Sequence, residues 1–337
     1  MTKAIGCISG GLDSTLAVCL IRRQEVEVVA LHALHLWYPA PLEPGAKPRA
    51  VADMETLGVR VETIDATEAD LEMVRQPTFG MGKRMNPCID CRIWTLRQAK
   101  ALMEAEGAAF VFTGEVLGQR PMSQNRQAMQ LVEREAGLAD RLVRPLCAKR
   151  LPPTQPERDG ILDREKLLGI VGRSRKEQMT LAREFGVTDY PSPAGGCLLT
   201  DPGFAYRLRE LMAHQEPTPV GVELLKVGRH FRLGDGTLVV IGRHHEDNLR
   251  LKPLFQDGDV CIEATDIPGP TTLLRGSAGE ANVTTAAALT LRYTKAPAGE
   301  VQRVNVTPVG SEVSVIKVAP ADEADAKGRI IAPEEPS

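Results

Sequence analysis

A short stretch near the start of the chain, Cys7–Thr15, constrains the fold more than any other feature of the sequence. It follows the apolar pair Ala4-Ile5 and leads into the apolar segment Leu16–Ile21. This order predicts a buried strand, a tight glycine turn and the first turn of a helix. Gly10 and Gly11 let the backbone approach a bound group closely, and the open amides of a helix start attract an anion. We therefore expect a phosphate group to bind at this turn.

The loop lacks the lysine of a Walker A motif, G-x-x-x-x-G-K-[ST]. It resembles instead the S-G-G-x-D-S loop of the PP-loop ATP pyrophosphatases, with a complete match over Ser9–Ser14 after the first strand. The residues leave one alternative open, a chance Gly-Gly turn at the start of a helix. The resemblance implies ATP and Mg²⁺ as ligands, and Asp13 as a catalytic residue that contacts the metal. The loop residues expected to bind the nucleotide are Ser9, Gly10, Gly11, Asp13, Ser14 and Thr15.

The first 64 residues alternate between predicted strands and helices. Val26–His32 is a β-branched, apolar run suited to a central strand of a parallel sheet, and Val59–Ile64 is predicted to be another strand. This alternation predicts an α/β fold with a doubly wound parallel sheet, and the resemblance implies one of the adenine nucleotide α-hydrolase type. Ligands of such sheets bind beyond the carboxyl ends of the strands. His32 or His35 could therefore contact adenine or ribose, or could simply be histidines of the sheet edge.

A fourth strand is predicted at Ala109–Phe112, and a polar, glycine-spaced loop follows it at Thr113–Gln119. An α/β enzyme places site residues at such a strand end. We expect Gly114, Glu115 and Gln119 to line the nucleotide or the target base.

Three of the seven cysteines are placed for chemistry. Cys88 and Cys91 directly precede a helix predicted at Arg92–Gly107, and Cys197 lies in a later glycine-bearing turn. A second C-x-x-C pair, which an all-cysteine zinc site would need, does not occur in the sequence. Two chemistries fit three thiols better: a [4Fe–4S] cluster with one open iron, or a relay in which a cysteine carries a persulfide. Buried or zinc-bound cysteines without chemistry are the third possibility; the cluster is favoured because it gives all three cysteines a role.

Further residues narrow the resemblance to the tRNA-thiolating branch of the PP-loop superfamily. The loop together with Cys88 and Cys197 is similar to the tRNA 2-thiouridylases, whereas Thr113–Gln119, Ser123-Gln124 and Arg144–Leu146 resemble the ThiI 4-thiouridine synthases. The resemblance implies a tRNA uridine sulfurtransferase, an enzyme that adenylates a uridine carbonyl with ATP and then replaces AMP with sulfur. The implied partners are tRNA and a sulfur donor, either sulfide or a cysteine desulfurase relay. The alternatives are an AMP-forming, amide-forming PP-loop enzyme acting on a small acid, and a non-catalytic RNA-binding adaptor.

The C-terminal part predicts a smaller α+β domain with mainly antiparallel strands. Val227–His230, Gly242–His244, Asp266–Pro270 and Tyr293–Lys295 resemble the NFACT RNA-binding domain. The resemblance implies RNA contacts there from Arg229, His230 and Arg243.

One segment of the first part is basic: residues 141–176 hold ten lysines and arginines against four acids. Such a cluster suits a polyanion, although an ordinary solvated surface has the same composition. The tRNA phosphate contacts hypothesised in this segment are Lys149, Arg150, Arg173 and Arg175.

The predicted organisation comprises a PP-loop domain with the cysteine site (1–202), a helix and linker (203–219), an NFACT-like domain (220–310) and a mostly disordered acidic tail (311–337). No apolar run approaches the roughly 20 residues needed to span a bilayer, and the N-terminus has no signal-peptide pattern. We expect a cytoplasmic protein that does not contact membranes and could form oligomers.

Overall fold

The computed structural model describes residues 2–38, 47–190 and 196–333. The chain divides into two compact units, Met1–Cys197 and Leu198–Ser337. The division falls a few residues before the predicted end of the first domain, so the predicted linker helix belongs to the second unit. Residues 191–195, which belong to the predicted turn before Cys197, lie outside the described residues, as do residues 334–337 of the predicted tail.

The first unit is built on a five-stranded sheet with the order β3-β2-β1-β4-β5, in which all neighbouring strands pair in parallel. Its strands are β1 (Lys3–Ile8), β2 (Glu27–Leu34), β3 (Arg60–Asp65), β4 (Phe110–Thr113) and β5 (Leu142–Val143). Its helices are α1 (Leu12–Arg22), α2 (Arg49–Thr56), α3 (Thr67–Arg75), α4 (Cys88–Ala105), α5 (Arg126–Glu135), α6 (Gln155–Arg158) and α7 (Lys176–Glu184). This architecture confirms the predicted doubly wound α/β fold.

The strand order places a topological switch point between β1 and β4. The chain leaves β1 toward β2 on one side, and the later strand β4 pairs with the other side of β1. Open α/β sheets bind ligands beyond the carboxyl ends of the strands at such a point. The Ser9–Gly11 loop follows β1 and the Gly114–Gln119 loop follows β4, so both predicted ligand loops lie at this edge of the sheet.

The second unit contains a six-stranded antiparallel sheet with the order β11-β10-β8-β9-β7-β6. Its strands are β6 (Arg229–Arg232), β7 (Leu238–Ile241), β8 (Val260–Ala264), β9 (Thr272–Arg275), β10 (Gln302–Pro308) and β11 (Ser314–Val318). Its helices are α8 (Pro202–His214), α9 (Pro219–Leu225), α10 (His245–Leu251), α11 (Glu280–Arg292) and α12 (Glu323–Arg329). The predicted α+β class and antiparallel pairing are confirmed.

The structure corrects several local predictions. The helix expected at Arg92–Gly107 begins at Cys88, because the Asp90 carboxylate accepts hydrogen bonds from the amides of Thr78 and Phe79 and so fixes the preceding loop to the helix start. The tail predicted to be disordered instead forms β11 and α12; Ala326 of α12 is buried in the apolar core of the second unit.

Within the described residues, no helix is long and apolar enough to cross a membrane.

Candidate functional site

The turn between β1 and α1 has the backbone of an anion-binding loop. Gly10 has a φ of +72°, in the left-handed region that glycine adopts without strain. Gly11 is the extended N-cap residue of α1 and provides no side-chain cap. The first amides of the helix are therefore available to an anionic ligand.

The hydroxyl groups of this loop brace the loop itself. The Ser14 Oγ donates to the Gly11 carbonyl oxygen at 2.8 Å, and the Thr15 Oγ1 lies 3.4 Å from the same oxygen. The backbone N–H of Ser9 donates to the Ser14 Oγ at 3.3 Å. The contacts of Ser9, Ser14 and Thr15 with a phosphate stay a prediction.

Asp13 is held by one of its two carboxylate oxygens. Its Oδ2 accepts a hydrogen bond from the Gln119 Nε2 at 2.6 Å and lies 3.7 Å from the Arg175 Nη2. Its Oδ1 is buried and has no hydrogen-bond partner among the described residues. A buried carboxylate oxygen without a partner is costly, so this atom suits a cation supplied with the ligand.

Gly114 brings the two loops of the switch point into direct contact. A Cβ atom at this position would lie 2.5 Å from the carbonyl carbon and oxygen of Asp13 and from the amide nitrogen of Ser14. No side chain fits at that distance from backbone, so only glycine permits this approach. Gly114 therefore belongs to the predicted site through its closeness to the first turn of α1.

Glu115 does not line an open surface, which corrects its predicted role. It is 3% exposed, and its carboxylate pairs with Arg92 at 2.7 Å and with Arg144 at 2.9 Å. Burial alone would raise the pKa of Glu115, but the two guanidinium groups outweigh it and lower that pKa. Arg144 also pairs with Glu133 at 2.8 Å. These four side chains form a buried ion network that joins α4, α5 and the segments after β4 and β5.

His32 is also buried, at 2% exposure. Its Nδ1 lies 3.2 Å from the carbonyl oxygen of Ile8, and burial lowers its pKa. Of the two predicted alternatives for His32, the structure therefore favours a buried histidine of the sheet edge over a residue that contacts the nucleotide.

The cysteine site contains an arrangement that the sequence did not predict. Cys88 and Cys91 lie in the first turn of α4, and the Cys91 Sγ lies 3.8 Å from the His35 Nε2. The His35 Nδ1 lies 2.9 Å from the Oδ1 of the fully buried Asp70, whose Oδ2 accepts from the Leu36 amide at 2.7 Å. Burial alone would lower the pKa of His35, but the bonds to Asp70 and Cys91 raise it to about 10. An imidazole fixed by a carboxylate and facing a thiol is suited to support a negative sulfur.

Cys197 lies in the same neighbourhood. Burial raises the pKa of Tyr38, and negative charge on Cys91, Asp70 and Cys197 raises it further. The charges of both thiols therefore act on this phenol. Thiolates are suitable donors for iron, but within residues 2–38, 47–190 and 196–333 no three His, Cys, Asp or Glu side chains are gathered closely enough to hold a metal ion.

The basic residues predicted to contact RNA in the first unit have separate surroundings. Lys149 is exposed and pairs with Glu165 at 3.0 Å, and Arg150 donates to the Gly169 carbonyl at 3.0 Å. Arg173 is exposed in the segment before α7. Arg175 instead lies beside Asp13, which places it at the phosphate loop.

Two of the three residues predicted to contact RNA in the second unit are accessible. The Arg229 guanidinium lies 4.4 Å from the centre of the Tyr293 ring, and the exposed Arg243 pairs with Asp247 at 2.6 Å. His230 is 2% exposed, and its Nε2 lies 2.9 Å from the Val227 carbonyl oxygen. This corrects the prediction that His230 contacts RNA directly, because its side chain is buried within the second unit.

Comparison with known families confirms the predicted resemblances. Residues 1–149 match the family described as thiamine biosynthesis protein (ThiI), and residues 228–328 match the NFACT protein RNA binding domain.

Two curated relatives match parts of the chain. The tRNA-specific 2-thiouridylase MnmA of Nitratidesulfovibrio vulgaris (strain DP4) is 37% identical over 94 residues, which is 27% of this chain and 26% of the relative. The probable tRNA sulfurtransferase of Thermococcus kodakarensis is 26% identical over 144 residues, which is 43% of this chain and 36% of the relative. The matched part of the chain thus spans about a quarter to a third of the length of these relatives.

Two solved structures are also similar to the chain. A 4-thiouridine synthetase–RNA complex with bound ATP has a TM-score of 0.39 and 19% identity, covering 67% of this chain and 52% of that one. The U34-tRNA thiolase NcsA of Methanococcus maripaludis with its [4Fe–4S] cluster has a TM-score of 0.31 and 15% identity, covering 66% and 69%. TM-scores this low carry no argument about this chain.

Proposed function

We propose that this chain, whose residues 1–149 belong to the ThiI family, is an ATP-dependent tRNA sulfurtransferase. It would adenylate a uridine carbonyl oxygen and then replace AMP with sulfur. The observation that carries the proposal is the S-G-G-x-D-S loop at the switch point, where the open amides of α1 face the glycine loop that follows β4.

In the first step, the loop from Ser9 to Thr15 binds the pyrophosphate part of ATP through backbone amides. The uridine oxygen attacks the α phosphorus, the bond to the bridging oxygen breaks, and pyrophosphate leaves. Arg175, which lies beside Asp13, adds a positive charge near the departing group. A bound Mg²⁺ would neutralise charge on the phosphate oxygens, and the unpartnered Oδ1 of Asp13 is the protein atom suited to hold it.

In the second step, a sulfur nucleophile attacks the activated carbon, and AMP leaves with the former carbonyl oxygen. His35, fixed by Asp70, holds a positive charge 3.8 Å from the Cys91 sulfur. A positive charge beside the sulfur would support the negative sulfur needed both to carry a persulfide and to bind iron. The predicted [4Fe–4S] cluster on Cys88, Cys91 and Cys197 stays a hypothesis; when bound, it would present the sulfur on its open iron.

The second unit is proposed to bind the RNA backbone. Its match to the NFACT RNA binding domain supports this role. Arg229, which lies over the Tyr293 ring, and the exposed Arg243 are the candidate phosphate contacts. Removing either guanidinium group should weaken binding uniformly across RNA sequences and reduce its salt dependence. Arg229→Ala and Arg243→Ala, compared in RNA binding at two salt concentrations, test this role.

The decisive experiment combines two measurements on purified full-length protein. Pyrophosphate release from ATP is measured with and without unmodified tRNA, and the tRNA nucleosides are then analysed by mass spectrometry after addition of sulfide. The proposal expects tRNA-dependent release and a new thiouridine, both lost in Asp13→Ala. RNA binding without pyrophosphate release would instead indicate an adaptor, and release driven by a small acid and ammonia would indicate an amide-forming enzyme.

The sulfur step has its own test. Protein purified without oxygen is analysed for iron and by its absorption spectrum. A colourless, iron-free protein that thiolates tRNA with sulfide would exclude the cluster. Loss of iron in Cys197→Ala would support it.

A further inference from the structure

Asp13 is the end of a chain of three buried or half-buried polar side chains. The Gln178 Nε2 donates to the Gln119 Oε1 at 2.9 Å, and the Gln119 Nε2 donates to the Asp13 Oδ2 at 2.6 Å. Gln178 is fully buried in α7, far along the sequence from the phosphate loop. Neither the predicted roles nor the proposed reaction steps use Gln178.

The directions of these two hydrogen bonds follow from the carboxylate of Asp13. An ionised carboxylate can only accept hydrogen bonds, so Gln119 must turn its amide nitrogen toward Asp13. Its amide oxygen then faces Gln178, which must donate. A donor at Gln178 therefore keeps Gln119 from rotating its amide oxygen toward the carboxylate.

Backbone contacts hold both glutamines at this spacing. The amide of Gly172 donates to the Leu117 carbonyl at 2.8 Å, and Leu117 forms a parallel bridge with Val171. These contacts tie the segment before α7 to the loop that carries Gln119. On α7, Leu181 lies one turn after Gln178 and packs in the same apolar cluster as Leu16 of α1. The helix that carries Gln178 is thus fixed against the helix that begins at the phosphate loop.

The hydrogen bonds from Gln178 to Gln119 and from Gln119 to Asp13 leave one oxygen of Asp13 open to a ligand. Its Oδ2 accepts a hydrogen bond from the Gln119 Nε2 and lies near Arg175. Its buried Oδ1 has no hydrogen-bond partner in the described part of the chain. We propose that Gln178 and Gln119 are positioning residues that fix the Asp13 carboxylate so that Oδ1 binds the Mg²⁺ of MgATP. This inference rests on the proposed use of ATP and adds to it the residues that control metal binding.

The test measures how Mg²⁺ strengthens the binding of a non-hydrolysable ATP analogue, α,β-methylene ATP, to the full-length protein. Calorimetry gives the analogue Kd in EDTA and the Mg²⁺ concentration for half-maximal enhancement. Gln178→Met keeps the side-chain length but removes the donor. The half-maximal Mg²⁺ concentration should rise in Gln178→Met by no more than in Gln119→Leu, in which Asp13 loses its direct hydrogen-bond partner and the expected rise is about 10- to 100-fold. The Kd in EDTA should stay within about twofold, because the backbone amides are untouched.

The matched control is Leu181→Met, a volume-conserving change on the same face of α7. It should leave the Mg²⁺ dependence unchanged. A second arm compares Gln119→Leu with the double variant Q119L/Q178M; if Gln178 acts only through Gln119, the two should respond equally to Mg²⁺.

Two results would overturn the inference while leaving ATP use intact. One is an unchanged Mg²⁺ dependence in Q178M, and the other is an equal loss of analogue binding with and without metal, which a purely structural role would produce. If the wild-type protein shows no Mg²⁺-dependent analogue binding, the proposed function and this inference both fail.

Discussion

The Nε2 of His35 lies 3.8 Å from the Sγ of Cys91, and this contact joins two parts of the chain that are 56 residues apart. His35 follows strand β2, whereas Cys91 lies in the first turn of α4. Asp70 of α3 completes the arrangement, because its Oδ1 forms a hydrogen bond with the other ring nitrogen of His35, Nδ1. The site is therefore assembled by the sheet edge and not by a local motif.

Replacing Asp70 should change the titration of His35. Asp70 helps to raise the pKa of this histidine to about 10, so Asp70→Asn should lower that pKa by roughly 1–3 units. The imidazole resonances of His35, followed by NMR across pH 6–11 in protein free of iron, report the change. Glu72→Gln is the control, because Glu72 lies on the same helix but pairs with Arg75 at the surface. If His35 titrates alike in the wild type and Asp70→Asn, the carboxylate does not control it.

Adding one methyl group at Gly114 should disrupt the switch point. The new Cβ would lie 2.5 Å from the backbone of Asp13 and Ser14, which cannot move aside as a flexible side chain can. Gly114→Ala should lower the free energy of unfolding by about 1–3 kcal/mol and weaken binding of the ATP analogue. Denaturant unfolding and calorimetry measure the two effects. Gly234→Ala, at a position with open space around it, should leave both unchanged.

Removing the charge of Glu115 should destabilise the first unit. Gln at this position would leave the buried Arg144 and the half-buried Arg92 with less compensation, at a cost of about 3–5 kcal/mol in the free energy of unfolding. The control is Glu165→Gln, whose exposed pair with Lys149 should contribute at most about 1 kcal/mol. Equal losses in the two variants would show that the buried network contributes no more than a surface pair.

The second unit should lose stability on acidification through His230. Burial, together with the positive charges of Arg207 and Arg232, lowers the pKa of this histidine to about 3, against a usual value of about 6.5. Above pH 6.5 His230 is neutral in the folded and in the unfolded state, so its titration costs no stability there. Below that pH the unfolded state is protonated first, so stability should fall by about 1.4 kcal/mol per pH unit until about pH 3.

Hydrogen exchange in peptides of β6 and β7, corrected for the intrinsic pH dependence of exchange, measures this loss. His230→Gln should flatten the pH dependence, and the exposed His214→Gln should not. A dependence that persists unchanged in His230→Gln would assign it to other groups.

The sequence predicted those parts of the site whose residues are adjacent along the chain. The backbone of the predicted phosphate loop is one such part, because strand, glycine turn and helix start occur within a dozen residues. The alternation of strands and helices likewise predicted the parallel sheet. Both depend on local spacing, which a single sequence displays directly.

The remaining parts depend on which segments meet in three dimensions. Asp70 lies on α3, a helix that the sequence analysis did not predict, so its contact with His35 left no signal. Glu115 was correctly placed after β4, but its partners Arg92 and Arg144 come from other elements and turn it into a buried structural residue. His230 belongs to a segment that resembles an RNA-binding motif, yet both faces of β6 are covered at this point, so His230 and the adjacent Phe231 are both buried.

The absence of a side chain at Gly114 also limits how the candidate site could be redesigned. At Gly114 the segment after β4 approaches the backbone of Asp13 and Ser14 in the first turn of α1, so this side of the candidate site cannot be widened by shortening a side chain. Changes in the shape of the site would have to come from the segment before α7, which pairs with the loop after β4 through the Gly172 amide and the Leu117 carbonyl.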